Sequence, residues 1–76
     1  MMRYNDLLSN LWGVLETLSF FDLEKCEHHV ELTILLEEEE KYKANIIREI
    51  ALSSYKIINE EIDNNGGKWW YTFMIR

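Results

Sequence analysis

Apolar residues recur at Tyr4, Leu7, Leu8, Leu11, Trp12, Leu15 and Leu18, the three-and-four spacing that gathers side chains on one side of an α-helix. The spacing predicts a first helix here, with Asn5 or Asp6 placed to accept a hydrogen bond from a free N–H group at its start. At Phe20-Phe21-Asp22 the spacing fails, and a short turn capped by Asp22 and running through Leu23 and Cys26 is expected. Val30-Glu31-Leu32-Thr33-Ile34 alternates and is partly β-branched, which predicts a strand with Val30, Leu32 and Ile34 on one face. A helix continuing from Leu23 is the rival reading, but it has to fit this alternation and four successive glutamates onto one amphipathic face.

Glu37-Glu38-Glu39-Glu40 suits a helix start, where unpaired N–H groups carry partial positive charge. Beyond it, Ile46, Ile47, Ile50, Ala51, Tyr55, Ile58 and Ile62 cover about half of a helix circumference, with Leu52 off the stripe. A second helix is therefore predicted from about Glu37 to Ile62, stopped by Asn64-Asn65-Gly66-Gly67, whose residues tolerate the left-handed conformation of a helix terminus. Lys68 to Arg76 is aromatic and β-branched and reads as a strand, with Trp69, Tyr71, Phe73 and Ile75 on one face and Trp70 and Met74 on the other. No internal repeat, linker or proline-rich stretch interrupts the pattern.

The expected fold is therefore a small α+β single domain, residues 1–76, in the order α-β-α-β with two strands per chain. A two-stranded sheet is marginal by itself. The expectation is a homodimer that merges two sheets into four strands and covers the aromatic tail, with Trp69, Trp70, Tyr71, Phe73 and Met74 at the interface.

Composition narrows the function classes. The chain is 47% hydrophobic and 29% charged, too rich in core-forming side chains for intrinsic disorder. Its one cysteine, Cys26, cannot form an intrachain disulfide, whereas a small secreted domain leans on two or more. The first residues lack the charged-then-apolar pattern of a secretion signal. The longest uncharged run, Leu7 to Leu15, holds nine residues, far short of the ~20 that span a bilayer. A cytoplasmic chain with no membrane partner is expected.

Fourteen acids against eight bases give a formal charge of -6, which repels phosphate backbones and makes direct binding of nucleic acid unexpected. The imbalance is local. Residues 22 to 40 carry eight acids and one base, -7, and the rest of the chain is +1. Besides marking a solvated helix start, such a segment suits a partner's basic groove, because an array of carboxylates can occupy sites built for phosphates.

Cys26, His28 and His29 are the residues closest to a metal cluster, with Glu24, Glu27 and Glu31 beside them. On a strand, alternation sends the two imidazoles to opposite faces, and no second pair of Cys or His occurs elsewhere to complete a tetrahedron. No resident metal or other cofactor is expected. Cys26 with either histidine is the best nucleophile and base available, but neighbours on a strand seldom converge as a dyad must, so enzymatic activity is not expected. The aromatic tail could stack bases, yet only Lys68 and Arg76 accompany it.

By elimination, the sequence reads as an acidic protein-binding module. It would inhibit a nucleic-acid-handling protein through Glu31, Glu37, Glu38, Glu39 and Glu40. Small phage-encoded antagonists of host defence, anti-CRISPR proteins among them, share its size, charge and lack of chemistry, a likeness of type that no motif carries. The alternative is a homo-oligomeric structural or regulatory subunit held together by the C-terminal strand.

Overall fold

The computed structural model describes residues 4–76. Two helices pack on one face of a four-stranded antiparallel sheet: α1 Tyr4–Leu15, β1 Phe20–Lys25, β2 Val30–Glu37, α2 Tyr42–Leu52, β3 Ile57–Asn65 and β4 Lys68–Ile75. A single 3-10 turn, Glu38–Glu40, leads into α2. The strand order is β1-β2-β4-β3. Helix, strand, strand thus occurs twice, and the second strands of the two halves, β2 and β4, meet at the centre of the sheet. A two-fold axis between them relates the topology of the halves, although the sequence carries no visible repeat.

The strong patterns fold as their spacing dictates. In α1, Leu7, Leu11 and Leu15 are fully buried. In β2, Val30, Leu32, Ile34 and Leu36 point into the core while the residues between them stay half-exposed. Tyr71, Phe73 and Ile75 of β4 face the same way, and α2 closes the core with Ala44, Ile47 and Ala51. Leu52, off the helical stripe, is 54% exposed. Among the described residues no polar or charged residue is buried as a whole.

The expected α-β-α-β order with two strands per chain is corrected by two further strands. β1 replaces the turn expected after Phe20. It alternates, with Phe21 and Leu23 half-buried and Phe20, Asp22 and Glu24 exposed, but as a short edge strand with an aromatic residue on its outer side it carries little periodic signal.

β3 replaces the second half of the expected long helix. Ile58 and Ile62 are four residues apart, a separation that satisfies helix and strand periods alike. Ser53 and Ser54 end the helix, with backbone N–H groups of both bonded to carbonyls of its last turn. Asn64-Asn65-Gly66-Gly67 is accordingly a hairpin and not a helix stop. Asn65 pairs with Lys68, leaving Gly66 and Gly67 as a two-residue loop with φ of 62° and 82°, the positive values at both positions that the favoured hairpin turn demands.

A dimer is therefore not needed to reach four strands. β4 is a central strand, bonded to β2 on one side and β3 on the other, so its backbone has no free edge for a second chain. The edges are β1 and β3. Glu61 and Asp63 on β3, with a register shift between Ile57 and Asn59, are the charges and irregularity that discourage edge pairing.

Candidate functional site

The helices cover one face of the sheet and leave the other open. Register determines what that open face carries. One row reads Asp63, Trp70, Leu35, Phe20 across the four strands; the next reads Glu61, Thr72, Thr33, Asp22; a third reads Asn59, Met74, Glu31, Glu24. Six carboxylates lie on this face, Asp22, Glu24, Glu31, Glu37, Glu61 and Asp63, with one ammonium, Lys68. The face therefore holds -5 of the chain's formal -6.

Phe20 and Trp70 are two strands apart, about 9.6 Å at ordinary strand spacing, yet their ring centroids are 5.7 Å apart, edge to face. The rings must lean towards one another above Leu35. Thr33 and Thr72 meet through their hydroxyls at 3.5 Å in the next row. The apolar centre is thus flanked by Asp22 and Glu24 along the β1 edge and by Glu61 and Asp63 along the β3 edge. An apolar middle with a charged rim is the anatomy of a protein-docking surface.

The structure disperses the glutamate run. Glu37 accepts a hydrogen bond from Lys68 at 3.1 Å. Glu38 lies 3.6 Å from Lys41 and accepts from the Trp69 indole N–H at 2.8 Å, while the Lys41 ammonium sits 3.7 Å over the Trp69 ring. Glu40 is bonded by Lys43 at 2.9 Å. Glu39 is exposed. Of the five glutamates expected to meet a partner, Glu31 and Glu37 lie on the open face, and Glu38 and Glu40 are tied to the α2 approach.

The residues expected at an oligomer interface separate in the same way. Tyr71 and Phe73 lie inside the core and Trp69 packs against it; Trp70 and Met74 are on the open face. Two copies meeting through that face would bring -5 against -5. Glu61, Asp63, Phe20 and Leu35 escape the sequence reading, and Asp22, in the acidic 22 to 40 segment, and Trp70, expected at an oligomer interface, are not joined to them there, because their common face exists only once β1 and β3 are known to be strands.

Lys43, followed by the Glu37 backbone N–H, holds the Glu40 carboxyl below the usual glutamate range. A carboxylate with a depressed folded pKa adds stability above its unfolded pKa and loses it as pH falls through the folded value. Glu40→Gln is therefore expected to shrink the drop in thermal unfolding midpoint between neutral and acidic pH, and a drop of unchanged size would discount this contribution.

At one end of the open face, Cys26 and His29 flank the two-residue loop Glu27-His28, with the Cys26 N–H bonded to the His29 carbonyl at 2.9 Å. The imidazoles diverge: His28 is exposed beside Glu27, and the His29 Nε2 lies 3.5 Å from Glu31. Burial, then the negative charges of Glu31 and Glu24 and a hydrogen bond to Glu31, push the Cys26 thiol up. A thiol held protonated is a poor nucleophile. Among the described residues no helix is long and apolar enough to cross a membrane.

No protein-family model, curated protein or solved structure matches the chain to a significant degree.

Proposed function

We infer that the protein is a binding module that docks a basic protein surface on the open face of its sheet. The observation that carries this reading is the concentration of -5 around an aromatic centre on the face that the helices leave bare. Trp70, Leu35 and Phe20 provide the desolvated anchor, and the carboxylates of both edges attract lysines and arginines and set orientation. A basic groove that accepts this face has chemistry suited to phosphates. The natural partner class is therefore a nucleic-acid-handling protein, and the consequence of docking is competitive inhibition, a role that fits a phage anti-defence protein by likeness of size and charge.

The test is capture from nuclease-treated lysate, comparing the native chain with the triple variant Asp22→Lys, Glu61→Lys, Asp63→Lys. All three side chains are exposed on the edge strands, so the fold should survive, which circular dichroism checks. The native chain is expected to retain a nucleic-acid-binding protein that moderate salt or added nucleic acid releases, and the variant to lose it. Equal capture by a folded variant would sink the reading.

A further inference from the structure

We propose that Cys26, His29 and Glu31 form a zinc-type divalent metal site at the tip of the β1–β2 hairpin. The three side chains offer sulfur, nitrogen and oxygen ligands that all lie within 4.8 Å of one another. The backbone brings them together. Residues flanking a two-residue hairpin loop face each other, so the Cys-x-x-His spacing here presents both side chains to one point, and Glu31, two residues further along β2, returns to the same face. This is the close ligand spacing that zinc sites use.

The distances suit the ion. Zn–S of about 2.3 Å and Zn–N or Zn–O of about 2.0 to 2.1 Å in a tetrahedron set ligand-to-ligand edges of about 3.3 to 3.6 Å. The His29 Nε2 to Glu31 Oε2 separation is 3.5 Å, and Cys26 Sγ to the same oxygen is 3.8 Å. The His29 Nε2 is also buried without a hydrogen-bond partner, although it is near Glu31. An imidazole nitrogen aimed at a carboxylate and a thiol, with nothing satisfying it, has the arrangement of a ligand.

Charge and chemistry fit as well. Glu24 stands opposite Glu31 in the ladder, adding negative potential at the site. Binding replaces the Cys26 S–H bond with a metal–sulfur bond and releases that proton to solvent; His29 enters neutral, and the thiolate and carboxylate balance the 2+ charge. Three protein ligands leave a fourth position for water. A groove of about 730 Å³ borders Cys26 and His29, with Lys25, Arg76, Asp6 and Glu27 also in its lining, and leaves room beside two of the ligands for an exchangeable water. His28 is excluded because it points away into solvent beside Glu27.

The probe is Co²⁺ added to reduced, chelator-stripped full chain, followed by Zn²⁺ competition. One equivalent should produce sulfur-to-cobalt charge-transfer absorption and the intense visible bands of four-coordinate cobalt, both displaced by zinc. Cys26→Ser should abolish the charge-transfer band, with Cys26→Ala as a second variant if the first fails to fold. His29→Gln and Glu31→Gln should each weaken zinc binding, read against a chromophoric chelator, by about tenfold or more. His28→Ala should leave it unchanged. Zinc should raise the unfolding midpoint of the native chain and not of the Cys26 variants. Absence of the charge-transfer band, or stoichiometric binding that survives loss of Cys26 or His29, would overturn the assignment. Equal weakening by His28→Ala would show adventitious surface metal and overturn it too. None of these readouts depends on partner capture.

Discussion

Phe73→Ala is expected to remove a large share of the chain's folding stability. Phe73 is fully buried in the central strand β4, pairs with Leu32 of β2 and Glu60 of β3, and stacks on Tyr71 with centroids 6.2 Å apart. Arg48 of α2 lies over its ring at 5.8 Å and is bonded to Glu60 through two guanidinium nitrogens. The ring is thus the floor on which the helix layer is pinned to the β3 edge. Truncating a buried phenylalanine costs about 3 to 5 kcal/mol, while a domain of this length has only about 4 to 11 kcal/mol in total. Loss of the Arg48 platform adds to that cost. Urea unfolding read by tryptophan fluorescence and far-ultraviolet circular dichroism measures the effect. A midpoint close to the native one would mean that the core is centred elsewhere, whereas Thr72→Ala, one residue away on the open face, should shift it little.

Which parts of this fold the sequence discloses follows from how each segment is buried. Elements with one wholly buried side disclose themselves. Leu7, Leu11 and Leu15 mark α1, Val30 to Leu36 mark β2, and the aromatic alternation of Trp69 to Ile75 marks β4, because period and burial coincide there. The edge strands do not. β1 is short and breaks its alternation at both ends, with Phe20 on the open side and Lys25 on the core side, and β3 carries Ile58 and Ile62 at a spacing shared by helix and strand, amid polar residues that no core constrains. Gly66-Gly67 fits a helix terminus or a hairpin until the partner strand is known. Missing the two edge strands hid the open face as well, since its acidity joins Asp22 and Glu24 on one edge to Glu61 and Asp63 on the other, segments about 40 residues apart in sequence. The glutamate run is conspicuous in sequence and less so in space, because Lys41, Lys43 and Lys68 meet three of its four carboxylates.

Trp70→Ala is expected to weaken partner binding by about 2 to 4 kcal/mol, roughly thirtyfold to a thousandfold, the cost of truncating an aromatic hot spot. The fold should survive it. Trp70 is half-exposed on the face away from the core, and its main internal contact is the edge-to-face meeting with Phe20, worth about 0.5 to 1.5 kcal/mol. Kinetics separate this residue from the rim. A desolvated anchor acts late, when the surfaces are already docked, so Trp70→Ala should raise the dissociation rate and leave the association rate nearly native. The edge carboxylates act at a distance, so Asp22→Lys, Glu61→Lys and Asp63→Lys should lower the association rate and flatten its dependence on salt. Surface plasmon resonance of each variant against the captured partner at several ionic strengths reads both. Should Trp70→Ala alter only association, or leave both rates native, the aromatic centre is not the anchor and the contact lies in the carboxylates alone.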